Sequence, residues 1–372
     1  MSANKRPPAR GWRSRKVQLL VAGLVITGGV SGAVAWALTD SPHKSAATPA
    51  PTPTPTGTPG DQYVAAVLRD FSSMSTVLIS YLQTLRQWQT DKVDDTQMKA
   101  VCIGLLDDVA AAQQALAARQ PFLPAPRAIY DYRASADLYG QAAQLTQNAT
   151  AVPRGALRTQ LQLAISRIQT LADRVFDQGA AELKPFVTPD HDYDSVQITR
   201  ADELPSFPAS KLAAGPPLTD VGAAPTPHPY QTTRPEQSAA DWVKVATAAH
   251  IPTDKDTEAA IDAGTVATLR TDTIAFAGAS EKLHSTPDPT GERTVNTRIQ
   301  LALLIDAEAT QMGQAATLVP AAQHDNFLHV AQALSLIADR MWDERLGQRD
   351  SSYPTSLLTI QSQQPSEAPS AK

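Results

Sequence analysis

The sequence predicts an all-α protein: an N-terminal transmembrane or signal helix, then two tandem antiparallel helical bundles joined by a Pro-rich linker. Three observations lead there. An uncharged run, 17–38, follows a cluster of bases. Two long blocks, 61–184 and 236–349, carry apolar residues at helical spacing, and prolines concentrate outside them. Segments of the second block repeat segments of the first, as an internal duplication would. Strand signals are absent, since no alternating β-branched run is bounded by tight-turn residues.

Residues 1–16 form a basic tip with Lys5, Arg6, Arg10, Arg13, Arg15 and Lys16 and no acid. The net charge of −5 therefore divides into +6 on the tip and −11 on everything else. Residues 17–38 (VQLLVAGLVITGGVSGAVAWAL) are long enough to span a bilayer as a helix. The positive-inside rule puts the tip in the cytoplasm and the body outside, in a single-pass cell-membrane protein. Small-x-small triplets ending at Ala35 and Ala37 also fit signal cleavage, in which case the body is secreted. No cysteine stands at the end of the run, which excludes a lipoprotein, and RSRK is not a paired-arginine signal.

Residues 39–60 alternate Thr with Pro, a pattern of extended polyproline II at about 3.1 Å per residue, so a stalk roughly 60 Å long is expected. Block 61–184 opens with Val64, Val67, Phe71, Met74, Leu78, Tyr81, Leu85 and Trp88, a heptad seam, with Asp61 in the N-cap region. Further helices are expected over 95–118, from Pro126 to about 148, and from about 153 to 183. Four helices with short connections make an antiparallel bundle. Residues 185–235 hold ten prolines and read as an interdomain linker that can drape over the surface. In block 236–349 a short helix over 237–250 and a second over 254–284 are expected. Residues 350–372 are polar and proline-punctuated, a disordered tail.

The duplication rests on two matches. Leu171-Ala172-Asp173-Arg174-Val175-Phe176-Asp177 aligns with Ile337-Ala338-Asp339-Arg340-Met341-Trp342-Asp343. Tyr139-Gly140-Gln141-Ala142-Ala143 aligns with Met312-Gly313-Gln314-Ala315-Ala316. The apolar stripe Leu161, Ile168, Leu171, Val175 has its counterpart in Phe327, Leu334, Ile337, Met341. Gly140 and Gly313 recur inside a helix, where Gly costs about 1 kcal/mol against Ala, so each marks a close helix–helix contact.

The repeated Ala-Asp-Arg-x-Φ-Asp supplies the candidate binding residues Asp173, Arg174, Asp177, Asp339, Arg340 and Asp343. The acids stand four apart on one helical edge, and each arginine can pair with a neighbouring helix or bind an anion. A structural ion pair explains the same residues. No catalytic residue is assigned: nucleophile-elbow, P-loop, GxGxxG and SxxK patterns are all missing. No metal or cofactor is expected, because Glu281-Lys282-Leu283-His284 is the single ExxH and has no duplicate. Cys102, the one cysteine, sits in VCIGLL and reads as a buried hydrophobe. An acidic body argues against nucleic acid as a partner. With 21 Arg against 11 Lys and four Asn, the composition resembles that of a GC-rich bacterial genome.

These features point to a non-enzymatic bacterial cell-envelope protein whose helical domains act as an interaction or scaffold module. Its membrane contact is 17–38 and its partner an envelope protein or polymer. The alternatives are an extracytoplasmic ligand-sensing or solute-binding bundle, and a helical hydrolase without a recognised motif.

Overall fold

The computed structural model of the chain describes residues 57–188, 218–219, 254–285 and 293–346. The tip, the apolar run 17–38, the stalk to residue 56, the expected helix 237–250, most of the linker and the tail lie outside the described residues. Among the described residues the chain is all-helical, with eight α-helices and no strand.

Helix α1, Pro59–Gln89, starts in a capping box. Thr58 is the N-cap, its hydroxyl accepting from the Asp61 N–H at 3.2 Å, and the Asp61 carboxylate takes the Thr58 N–H at 2.7 Å. Asp61 is thus the third helical residue, not the cap. All eight residues of the heptad seam are buried. The end of α1 turns through Asp91 at φ 60°, where the Lys92 N–H reaches the Gln87 carbonyl at 2.7 Å. Helix α2, Asp95–Ala118, is capped by Asp94, which accepts from the Gln97 N–H at 2.8 Å. It is the one described helix long and apolar enough to cross a membrane. Here Met98, Cys102, Leu105, Val109 and Leu116 turn inward, and α2 packs between α1 and α3.

Helices α3, Ala128–Ala149, and α4, Ala156–Leu183, form an intimate antiparallel pair. Gly179 lets them close: a Cβ there would stand 3.1 Å from the Ala128 carbonyl oxygen. Arg133 on α3 covers the end of α2, donating to the Leu116 and Ala117 carbonyls at 2.8–3.0 Å. Tyr81 pins α1 across the bundle, its buried hydroxyl meeting Thr146 Oγ1 at 2.7 Å and accepting from Gln169 Nε2 at 3.0 Å. Lys184–Phe186 is a short 3-10 turn. Thr188 beyond it donates its N–H and hydroxyl to Asp61, so the exit of α4 is clasped to the start of α1. Gly60 permits the clasp, since a Cβ there would lie 2.0 Å from the Phe186 oxygen.

The continuous helix expected over 254–284 is instead two: α5, Asp254–Asp262, and α6, Val266–Ser285. Gly264, at φ 62°, separates them, with the Thr265 N–H on the Ala260 carbonyl and the Gly264 N–H on Ile261, a Schellman stop. Helices α7, Arg293–Leu318, and α8, Ala321–Leu346, form the second long antiparallel pair. Gly313 has the close neighbour its position implied: a Cβ would be 3.1 Å from Leu269 Cδ1 on α6.

The two blocks meet reciprocally, α3 on α8 and α4 on α7. Both contacts are antiparallel. Asn148 at the end of α3 donates to the Asn326 carbonyl at the start of α8 (3.1 Å). Arg298 at the start of α7 reaches Glu182 at the end of α4 (2.7 Å). One apolar core runs from Val64 on α1 to Met341 on α8, with a small satellite between α6 and α7 around Phe276, Ile299 and Leu303.

Candidate functional site

The α4–α7 contact brings together polar side chains that are far apart in sequence. Arg167 sits midway along α4 and Glu308 midway along α7. Arg167 Nε donates to Glu308 Oε1 and its NH2 to Glu308 Oε2 at 3.2 Å. The same NH2 donates to Gln311 Oε1 at 2.5 Å. Glu308 is 1 % exposed, so its charge stands on this guanidinium rather than on water. The pair also fixes the amide of Gln311, whose NH2 must then point away from Arg167.

What Gln311 points at is a two-residue piece of the Pro-rich linker. Its Nε2 donates to the Thr219 carbonyl at 2.5 Å. Gln314, one helical turn on, accepts from both the Thr219 N–H (3.2 Å) and the Thr219 hydroxyl (2.9 Å) through Oε1. Its Nε2 donates to Thr273 Oγ1 at 2.9 Å and to the Leu269 carbonyl at 3.4 Å. Gln314 therefore uses both acceptor and both donor positions of its amide, and it is fully buried. From α4, Gln160 Oε1 accepts the Leu218 N–H at 2.9 Å. The Leu218 side chain joins the core at 2 % exposure. Three glutamines thus read two backbone N–H groups, one carbonyl and one hydroxyl. The backbone of this linker piece is thus tied to both α4 and α7.

A second polar cluster lies at the far end of the same contact. Arg298 donates through Nε and NH2 to the two oxygens of Asp131 on α3, at 3.0 and 2.5 Å, and through NH2 to Glu182. Arg298 and Asp131 are almost wholly buried. Burial raises the Asp131 pKa, against the opposing pull of Arg298 and Arg127. Burial raises that of Glu182 too, reinforced by Asp131 and opposed by Arg298 and Arg127. Two carboxyls share one close guanidinium, so the pair titrates above the ordinary range.

The residues singled out by the repeated motif are placed as follows. Asp173 on α4 turns inward and accepts the phenol of Tyr139 on α3. Arg174 and Asp177 are half-buried on the same helix. Asp339 and Arg340 are half-buried on α8, and the Asp343 side chain lies outside the described residues. The two motif copies sit on α4 and α8, helices that pack on α3 and α7. The glutamines that hold Leu218 and Thr219 were not among the expected site residues. A trace of them is visible in sequence: Glu308, Gln311 and Gln314 recur at three-residue steps beside Ala307, Ala309 and Gly313, small residues that let a chain approach. Gln141 stands at the repeat position of Gln314, and its Oε1 is buried without a hydrogen-bond partner.

Among the described residues no group of three or more His, Cys, Asp or Glu is placed to hold a metal ion. His324 donates through Nδ1 to the Ala316 carbonyl at 2.9 Å, closing the end of α7. Cys102 is buried, and burial pushes its thiol up to about 12. Tyr132 and Tyr139 are core residues; Tyr132 packs edge-on against Phe71 and Phe176. The chain matches no family of known proteins, no curated protein and no solved structure.

Proposed function

We propose that the protein is a non-enzymatic interaction module of a bacterial cell envelope. Residues 17–38 anchor it, residues 39–60 hold the body off the membrane as a stalk, and the helical body binds an envelope partner. The observation that carries the reading is the α4–α7 contact, at which Gln160, Gln311 and Gln314 hold the backbone of Leu218 and Thr219. The glutamine amides at that place suit recognition, because a carboxamide donates and accepts hydrogen bonds without being a nucleophile or a base. The uncharged run behind a basic tip supports the location.

The body is read as two related bundles, 61–184 and 236–349, descended from a duplication. The matched segments support this, as does the reciprocal packing of α3 on α8 and α4 on α7, the pattern two copies related by a twofold produce. The duplicated stripes Leu161, Ile168, Leu171, Val175 and Phe327, Leu334, Ile337, Met341 are buried in both copies.

The test is fractionation of cells expressing the tagged full chain, with protease added to intact cells. A membrane-bound chain whose body is cleaved from outside is expected. Intact chain in the cytosolic fraction overturns the reading.

A further inference from the structure

We infer that the end of the first block at which α1 begins is a lipid-docking tip, whose apolar turn enters the interface of an anionic membrane. The inference deepens the envelope reading and rests on its anchor, residues 17–38.

Three segments meet at the tip: the start of α1, the loop 119–127 between α2 and α3, and the turn 184–188 after α4. Their aromatic rings form a row, Tyr63 against Phe122 at 5.3 Å between centroids and Phe122 against Phe186 at 5.6 Å. The Thr58 hydroxyl donates to the Phe186 carbonyl at 3.0 Å and closes the set. From this base the loop projects Leu123, which is 88 % exposed, the most of any large hydrophobic among the described residues. The Ala125 N–H donates to the Phe122 carbonyl at 2.9 Å, so Leu123 and Pro124 occupy the corner of a tight turn, and Pro121 and Pro126 restrict its flanks. Such corners usually carry Gly, Asn, Asp or Ser. Here Leu123 and Pro124 face solvent beside exposed Pro185 and Phe186. A lone exposed leucine needs no explanation, but an apolar patch on an aromatic base does.

Charge selects the occupant. Segments 57–63, 119–127 and 184–188 contain Arg119, Arg127 and Lys184 and a single acid, Asp61. Asp61 is buried and takes hydrogen bonds from Thr58 and Thr188. Arg119 pairs with Asp70 at 2.6 Å, while Lys184 is exposed and Arg127 half-buried. The outward charge of the tip is therefore positive, on a chain that carries −11 beyond residues 1–16. An apolar protrusion flanked by bases matches a bilayer with anionic headgroups, where apolar burial and electrostatic attraction add. The chain also brings this end to lipid, because residues 39–56 join the apolar run directly to Gly57 at the tip. The stalk sets the outer limit of the distance between this end and the bilayer, and the tip docks at the inner limit.

The test uses the full chain with Cys102→Ala, reconstituted in vesicles of phosphatidylcholine with or without phosphatidylglycerol. A single cysteine is introduced by Pro124→Cys, or by Lys92→Cys at the opposite end of the bundle, and labelled with the environment-sensitive dye NBD. With phosphatidylglycerol present, the dye at position 124 is expected to shift to the blue and to be quenched by doxyl-labelled lipid; the dye at position 92 does neither. Lys184→Glu lowers the ratio of docked to free tip at least about tenfold, since each base near an anionic surface is worth about fivefold and reversal counts twice. Leu123→Ser lowers it about tenfold. Both substitutions fall at exposed positions, and circular dichroism checks the fold. The inference is overturned if the two dyes behave alike, if the signal at position 124 is the same without phosphatidylglycerol, or if neither substitution moves it. A dimer of the detergent-solubilised chain that Leu123→Ser converts to monomer also overturns it, because a second copy would then cover the tip. Carbonate extraction of the same vesicles tests the anchor separately: release of the chain overturns the anchor, while the dye signal taken before extraction still decides the tip.

Discussion

Replacing Arg298 by leucine tests the energetics of the contact between the blocks. In the native chain one guanidinium serves two carboxyls, Asp131 at 2.5 Å and Glu182 at 2.7 Å, with Arg298 and Asp131 at 1–2 % exposure. Leucine fills much of the space but leaves both acids without their nearest cation. Breaking a buried pair by removing one partner costs about 3–5 kcal/mol. For a body of this size that lowers the melting temperature by roughly 10 °C. The pH dependence carries the distinctive sign. Asp131 and Glu182 already have raised values in the folded state, so the folded chain holds protons that the unfolded chain releases. Their contribution is fully present below the ordinary carboxylate range and is lost as pH rises through the raised folded values. Without Arg298 those values rise further, so Arg298→Leu falls short of wild type most at neutral pH and recovers on acidification. Urea melts followed by circular dichroism between pH 4.5 and 7.5 measure both curves. Adding Asp131→Asn and Glu182→Gln to Arg298→Leu removes the extra pH dependence. A deficit below about 1 kcal/mol at neutral pH, or one that grows on acidification, refutes the shared-guanidinium account.

Other substitutions probe single links. Tyr139→Phe removes the phenol bonded to buried Asp173. It should cost about 1.5–3 kcal/mol in the same melts, as expected for a hydrogen bond to a charged group. Asp91→Gly relieves a left-handed residue at the end of α1 and should stabilise by about 0.5–1 kcal/mol; Asp91→Val should lower the melting temperature. The pairing of Asp91 with Arg154 is exposed on both sides and does not offset the gain. Cys102, with its thiol pushed up to about 12, should resist a thiol-specific reagent at pH 8 and react only on unfolding. Rapid labelling of the native chain would contradict its burial.

Most of the helices can be read from the chain alone. The seam from Val64 to Trp88 is buried throughout, and the expected spans 95–118, to about 148, and to 183 agree with α2, α3 and α4 to within a few residues. Their signals are local: apolar spacing matches the helical period, and Pro or Asp marks each start. Where two local signals compete, sequence is a poorer guide. Thr58 and Asp61 both suit a cap, and the outcome rests on which oxygen reaches which N–H. Gly264 inside 254–284 resembles a tolerated helical glycine until its positive φ and Schellman bonds are seen.

The candidate site was far less legible. In the sequence Asp173 and Asp177 share one helical edge, yet Asp173 turns to Tyr139 in the core. Arg298 and Asp131 stand 167 positions apart, and Arg167 and Glu308 stand 141 apart. Nothing in the neighbours of a polar residue on a helix edge says which other helix will meet it. By itself, then, the sequence determined the helical class and the position of most helices, because periodicity and capping act within a few residues. Only the tertiary structure decided that α3 meets α8 and α4 meets α7, and so which carboxyls share Arg298 and which glutamines hold Leu218 and Thr219. Those pairings depend on the registry of whole helices, set by a common core rather than by any local stretch of chain.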